Sequence, residues 1–389
     1  MQIYLDNSAT TRICDEALEV YTRVSKEQYG NPSSLHGVGL LAEHELERAR
    51  GEVLASLGMR RGRVLFTASG TEANNLAIIG RALSKDRYSR GAKIITTEGE
   101  HASVTGPIER LEKMGFKTAK ISTRGGRIDL DELREELTPD TVLVSIMLVN
   151  NETGALYDVP RAASLTHELA RDALVHTDAT QAYMKLPFTK EGLGADMITV
   201  SSHKIEGPKG VGALIVDESV MTKKALSPII WGGGQELGLR SGTENVPAIA
   251  AFGEAVRIGR AQLNERYRRT SRLRDYLITR ISESPELSTL TLTLPEEHAP
   301  HILNVTAKGI KSETLLHYLS SSGIFVSSGS ACSSRARHSS PALIAYGKTE
   351  DEADSSVRIS LSHRTTEDEL DAFVSALAMG TKSLARVGK

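Results

Sequence analysis

Two cysteines and one tryptophan in 389 residues, with aromatic content of only 4%, leave little from which to build a disulfide-stapled or aromatic-rich scaffold. Cys14 and Cys332 lie far apart, so no disulfide framework is indicated and both thiols read as reduced. No apolar run approaches the roughly 20 residues that span a bilayer. The opening MQIYLDNSATT lacks the charged-then-apolar pattern of a signal segment, so a cytoplasmic location is the default expectation. An excess of charge of one sign is missing as well. A formal net charge of −2 gives no reason to expect a nucleic acid or an acidic membrane as partner. No internal repeat, low-complexity tract or metal site is expected. What is present is 40% hydrophobic content, enough for a large core, and the length suggests one big domain plus a smaller one.

From Val64 to Val216, short β-branched runs (VLFTAS, KIITT, TVLVSIMLV, ALVHTD, MITVSS, GALIVD) alternate with longer amphipathic or charged segments. That alternation predicts an α/β fold: a large domain with a mostly parallel sheet flanked by helices. Around Pro247 the pattern changes to one long helical stretch, followed by strand candidates LSTLTLTL, HILNVTA, GIFVSS and SVRISL. A last helix opens with Thr366 and Glu369 at capping-box spacing. The expected organisation is an N-terminal arm over residues 1–31, a large domain over 32–250 and a small α+β domain over 251–389. The arm is expected near the active site and packed with the small domain, because DNSATT and YGNPSSLHG read as turns and not as periodic structure.

Open parallel sheets bind ligands at the carboxyl ends of their strands, where Ser69, Asn151, Asp178 and Lys204 fall. Asp178 in VHTDATQ and Lys204 in VSSHKIEGPKG each end a short apolar strand. As an isolated pair they would read as an ordinary strand-end Asp and a solvated Lys. In this setting they are the pair that pyridoxal phosphate chemistry requires: an amine for the cofactor aldehyde and a carboxylate that keeps the pyridine nitrogen protonated. In TASGTEANNLAI, the amides near Gly70 and Thr71 open a helix where a phosphate can sit, although the same pattern is a common helix cap. Ser201 and His203 offer further donors to that phosphate. His101 in TTEGEHAS either stacks on a flat ring and moves protons or is held by packing. Asn151 and Gln181 suit the cofactor's phenolic oxygen or a substrate carboxylate, or else cap loops. Arg358, inside the apolar SVRISL, calls for a carboxylate partner, either a substrate's or an internal Asp or Glu.

Taken in order, YLDNSATT, GNPSSLH, SGTEANN, EHAS, VNNETG, HTDATQ, SSHKIEGPKG, GGGQE, RSGTENV, HILNV, SSGSAC and SSVRISL run nearly end to end along the chain. In these motifs it resembles the cysteine desulfurases of the NifS/IscS type, fold-type I pyridoxal-phosphate enzymes of the class V aminotransferase group. The resemblance implies an L-cysteine desulfurase that leaves L-alanine and a persulfide, whose sulfur serves iron–sulfur cluster, thio-tRNA or cofactor biosynthesis. By it, Lys204 is the Schiff-base lysine, Asp178 pairs the pyridine nitrogen, Gln181 meets the phenolic oxygen and His101 stacks on the ring. Thr71, Ser201 and His203 would bind the phosphate. Thr243 of RSGT would reach the phosphate of a neighbouring subunit, which implies a homodimer. Asn151 and Arg358, helped by Asn31, would hold the substrate carboxylate. A sulfur acceptor or iron–sulfur scaffold protein is the implied partner.

Cys332 would then be the nucleophile, and its surroundings, SSGSACSSRARHSS, are small and polar as travel between cofactor and acceptor requires. Cys14 reads as an ordinary partly buried residue. This sequence departs from the resemblance at three places. Arg335, Arg337 and His338 follow Cys332 where relatives often have a more apolar stretch, and such cations are expected to favour the thiolate. Ser202 stands where glycine is common, and Glu206 where an aromatic or His is common.

Overall fold

The computed structural model describes residues 2–84, 92–329 and 339–384. Its first strand, β1 (Ile3–Tyr4), precedes a seven-stranded sheet made of β2 (Arg63–Thr67), β3 (Lys93–Thr97), β4 (Lys117–Ile121), β5 (Thr141–Met147), β6 (Leu174–Asp178), β7 (Met197–Ser201) and β8 (Gly212–Val216). The strand order is β2-β8-β7-β6-β5-β3-β4, and only β8 runs antiparallel to its neighbours. Within each strand, successive side chains face opposite sides of the sheet. Leu65, Ile94, Leu143, Met197 and Leu214 join one apolar cluster with the helices Gly70–Ala82 and Ala102–Lys113. Phe66, Ile95, Val144, Ile198 and Ile215 join another with the helices Gly37–Ser56, Val159–Leu169 and the first half of Val246–Glu283. Both faces are therefore covered. That is why β5, β6, β7 and β8 are buried along their whole length, even where, as in β6, polar residues such as His176 and Thr177 stand among the apolar ones.

The remaining strands are β9 (Thr291–Thr293), β10 (Ile302–Thr306), β11 (Ile324–Phe325) and β12 (Ser356–Ser360). An antiparallel sheet in the order β12-β10-β9 packs with the helices Ser312–Ser321 and Glu367–Leu384 around Leu303, Val305, Val357, Ile359 and Phe373. Thr366 and Glu369 do form a reciprocal capping box, with each backbone amide donating to the other's side chain. The 38-residue helix Val246–Glu283 serves both units: Phe252 and Val256 lie in the core of the large sheet, Leu273 and Leu277 in that of the small one. The N-terminal stretch bridges them too. β1 pairs in parallel with β11, Asp6 bridges to Ser360, and the helix Asp15–Glu27 buries Ala17 and Val24 in the large-sheet core. This path carries Asn7, Ser8 and Ala9 past the carboxyl ends of the large sheet.

Candidate active site

A cavity of about 200 Å³ opens where β5, β6 and β7 end and the helix Gly70–Ala82 begins. Gly70, Thr71, His101, Asn151, Asp178, Gln181, Ser201, His203, Lys204 and Arg358 all line it, together with Ser8, Ala9, Asn74 and Ser103. The topology explains the convergence. Strands ending on one edge of a parallel sheet deliver the residues that follow them to one crevice.

Lys204 ends a short 3-10 turn after β7, and its Nζ donates to the backbone carbonyls of Ser8 (2.6 Å) and Ala9 (2.8 Å). The DNSATT arm thus cradles the amine. Asp178 is buried, and its Oδ1 accepts the Thr180 amide at 2.9 Å while Oδ2 accepts Asn74 Nδ2 at 2.8 Å. Asn74 Nδ2 also donates to Ser103 Oγ at 2.8 Å, and Ser103 Oγ lies 2.8 Å from His101 Nδ1. The Ser103 amide donates to the same Nδ1 at 3.2 Å, so Nδ1 is the acceptor and the ring proton belongs on Nε2. Burial holds the His101 pKa below its usual value, which keeps this imidazole neutral. Asp178, Asn74, Ser103 and His101 therefore form one hydrogen-bonded chain along the cavity wall. Asn74 and Ser103 had no assigned role in the sequence. The available signal was helical spacing, since Asn74 lies four residues after Gly70 and so on the same face of its helix.

At the N-terminus of the helix Gly70–Ala82, Gly70 packs so closely that a Cβ there would sit 3.3 Å from both Ser201 Cβ and Thr180 Oγ1. Ser69 caps the helix by accepting the Glu72 amide at 3.1 Å. Burial, followed by the charge of Lys204, pushes the His203 pKa down to about 4, so it is a neutral donor or acceptor beside Thr10 Oγ1 at 3.1 Å. Gln181 Nε2 donates to Ser8 O at 3.0 Å, and its Oε1 accepts a hydrogen bond from Lys185 Nζ at 3.4 Å. Burial lowers the Lys185 pKa to about 7.

Arg358 is 2% exposed and has an internal partner: Nη2 donates to Asp6 Oδ1 at 2.8 Å and Nη1 to Asn151 O at 2.9 Å. Of the two carboxylate sources open in the sequence, the internal one is occupied, while Nε has no partner among the described residues. Two further expected residues lie elsewhere. Asn31 is exposed and its Oδ1 accepts the Ser33 amide at 2.9 Å. Thr243 is exposed and lines a separate cavity with Phe66, Gly210 and Arg240. Cys332, Arg335, Arg337 and His338 lie outside the described residues. Cys14 is more deeply placed than expected, 3% exposed, and burial raises its thiol pKa.

Both departures flanking Lys204 are accommodated. Ser202 fills space that Gly207 leaves open, where a Cβ would meet Ser202 Oγ at 2.1 Å. Glu206 adopts φ +67 and accepts Arg266 Nη1 (3.0 Å) and Arg364 Nε (2.9 Å), while its amide donates to Thr11 Oγ1 at 2.7 Å. It thus ties the lysine turn to the long helix, to the turn after β12 and to the N-terminal arm.

Pyridoxal phosphate fits these residues on structural grounds. Ser201 Oγ, Ser8 Oγ and Asn74 Oδ1 are buried without hydrogen-bond partners among the described residues, and all three residues line the cavity. Such orphaned groups call for a polar ligand. The helix N-terminus suits a phosphate, the Asp178 carboxylate a protonated ring nitrogen, and the amine of Lys204 an aldehyde.

The Aminotransferase class-V family matches residues 3–373. Cysteine desulfurase IscS 1 of Archaeoglobus fulgidus is 37% identical over 375 residues, 96% of this chain and 95% of that protein. The NifS/IcsS protein homolog of Lactobacillus delbrueckii subsp. bulgaricus is 38% identical over 379 residues, 96% of each. Among solved structures, a NifS-like protein superposes with a TM-score of 0.89 at 35% identity, covering 97% of this chain and 99% of its own. A NifS-like protein from Rickettsia africae gives 0.86 at 31%, covering 98% of this chain and 100% of its own. With the family spanning nearly the whole length and the site residues gathered in one cavity, the chain belongs to the class-V aminotransferases, among the relatives of NifS and IscS.

Proposed function

We propose that this protein is a pyridoxal-phosphate-dependent L-cysteine desulfurase that forms L-alanine and a persulfide on Cys332. The observation that carries the reading is the convergence of Lys204, Asp178 and His101 on one cavity, with the buried Ser201 hydroxyl, which has no partner among the described residues, beside the N-terminus of Gly70–Ala82. Bound there, the cofactor supplies a pyridine ring that accepts electrons from the substrate Cα. Asp178, fixed by Thr180 and Asn74, holds the proton on the ring nitrogen. Lys204 Nζ takes the Cα proton and returns one to Cβ. His101 presents its Nε2–H face to the cavity. Ser201, His203, Gly70 and Thr71 hold the phosphate, and Gln181 turns to the phenolic oxygen. Asn151 and Arg358, whose Nε has no partner among the described residues, hold the substrate carboxylate, with Asn31 assisting. The Cys332 thiolate attacks the substrate sulfur as the C–S bond breaks. Cβ gains the electron pair and a proton to become the methyl of alanine, and the thiol is oxidised to a persulfide, so no outside oxidant is needed.

The same reading includes a homodimer in which Thr243 completes the neighbouring site. Support comes from apolar side chains exposed on the single chain: Leu35 at 98%, Trp231 at 80%, Tyr29 at 73% and Leu237 at 60%. It also keeps the division into an arm, a large domain over 32–250 and a small domain from 251. The sulfur passes to an acceptor or iron–sulfur scaffold protein, in the cytoplasm. No helix among the described residues is long and apolar enough to cross a membrane. The test is to give the cofactor-loaded protein L-cysteine and a reductant and to measure alanine and sulfide, alongside Cys332→Ser. Equal amounts from the wild type, both lost in the variant while the cofactor absorbance persists, are expected. Alanine from the variant would move the nucleophile elsewhere, and a bound cofactor without alanine would favour an aminotransferase or selenocysteine lyase.

A further inference from the structure

Glu152 stands next to Asn151 in the turn after β5 and is buried. Burying a carboxylate is costly unless strong hydrogen bonds replace water. Here Ser340 Oγ donates to Glu152 Oε2 at 2.5 Å. Gly329 lies on the same oxygen: at its φ of +80, a Cβ would be 3.1 Å from Glu152 Oε2 and 3.8 Å from Ser340 Cβ. Gly329 and Ser340 flank Cys332 on either side in sequence. One buried carboxylate therefore joins the chain entering the nucleophile's segment to the chain leaving it.

The same unit reaches the substrate side. Ser327 Oγ donates to Gly329 O at 3.0 Å, and Ser327 exchanges backbone hydrogen bonds with Arg358, 3.2 Å from its own amide and 2.7 Å from that of Arg358. Arg358 in turn donates to the carbonyl of Asn151, the residue before Glu152. Hydrogen bonds and the chain itself thus link Gly329, Ser327, Arg358, Asn151, Glu152 and Ser340 in series, with Gly329 packed against the Glu152 carboxylate, and Asn151 and Arg358 of this series line the cavity. We propose that Glu152 is a positioning residue for sulfur transfer: by binding Ser340 and packing against Gly329 it sets where the Cys332 segment begins and ends relative to the substrate carboxylate site. A non-polar residue would fill the space but would release Ser340.

This inference rests on the desulfurase reading with Cys332 as nucleophile. The test uses the cofactor-loaded full chain as wild type, Glu152→Ala, Glu152→Gln and Ser340→Ala, in single turnovers with L-cysteine. Four quantities are read: cofactor per chain, thermal midpoint, the cysteine-induced absorbance change and the rate of alanine release. Glu152→Ala is expected to keep its cofactor and the absorbance change while alanine release slows roughly ten- to a hundred-fold, the scale of a misplaced reacting group. Glu152→Gln, whose amide oxygen still accepts from Ser340, should recover part of the rate, and Ser340→Ala should lose an intermediate amount. In steady state the loss should fall on kcat with KM nearly unchanged. Wild-type release rates in Glu152→Ala, or a loss that follows cofactor content and thermal midpoint in every variant, would overturn the proposal. Should Glu152→Ala not fold, the Gln and Ser340 variants decide it. Alanine from Cys332→Ser would instead count against the desulfurase reading, so the two failures are distinguishable.

Discussion

Glu100 precedes His101 and makes no direct claim on the substrate, yet it is the most displaced carboxyl group near the site. Burial pushes its pKa up to about 8, despite hydrogen bonds from the Met147 amide and Thr97 Oγ1, and the charge of Asp178 adds to the rise. An acid whose folded pKa is raised holds a proton that the unfolded chain has already released. Its contribution to stability is complete below its ordinary value of 4.5 and is lost as pH climbs through about 8. Each pH unit within that window costs about 1.4 kcal/mol. Glu100→Gln mimics the protonated form, so urea unfolding of the two cofactor-loaded proteins should show the variant gaining on the wild type steadily from about pH 5 to about pH 8. A constant difference across that range would show that Glu100 is ionised throughout. At this scale, Asp178, Lys204 and His101 were legible in the sequence because they end strands or follow them directly. Asn74 and Ser103 were not, since their role is to relay Asp178 to His101, and only the meeting of two helix N-termini creates that role. Arg358 showed the need for a carboxylate partner, but which carboxylate depended on the arm carrying Asp6 back to β12.

Between elements, the spacing of β8 from the helix Gly70–Ala82 is set by a missing side chain. A Cβ on Gly212 would lie 2.6 Å from Ser69 C and 2.7 Å from Gly70 N, atoms of backbone that cannot rotate away. Gly212→Ala should therefore destabilise the protein by about 1–3 kcal/mol and tilt the amides proposed to hold the phosphate. The expected result is a lower thermal midpoint together with weaker cofactor retention on dialysis. Gly51, in the exposed middle of the helix Gly37–Ser56 with nothing within 4 Å of a built Cβ, is the control. Gly51→Ala should raise stability by about 0.5–1 kcal/mol and leave the cofactor untouched. Equal effects of the two changes would refute the packing argument. Most elements of the large sheet were readable from β-branched runs, because strands covered on both faces show their burial as unbroken apolar stretches. β4 escaped. Its sequence, KTAKI, belongs to an edge strand with exposed lysines, and such edges avoid the pattern that identifies a central strand.

For the whole molecule, the exposed apolar residues and the remote placement of Thr243 are the features that the proposed homodimer would account for. The loop after Trp231 is held in shape, with Glu236 and Leu237 at φ +46 and +61 and the Glu236 carboxylate bound by Arg50 Nη2 (2.7 Å) and the Phe66 amide (2.9 Å). Consecutive left-handed non-glycine residues cost roughly 1–3 kcal/mol each, so the fold spends stability to present this surface. In the proposed two-fold dimer, whatever each Thr243 supplies to its partner's site is supplied in return, because a self-complementary interface exchanges the same residues in both directions. Subunit mixing tests the exchange directly. Lys204→Ala and Thr243→Ala homodimers should each be severely impaired. If the chains are unfolded together and reassembled at random, about half of the dimers pair one of each, and one of the two sites in such a dimer combines an intact Lys204 with an intact Thr243. Activity should then recover to about a quarter of the wild-type value. Recovery requires that the threonine cross the interface. If Thr243 served its own chain's site, every site in the mixture would lack one of the two residues, and mixing would restore nothing.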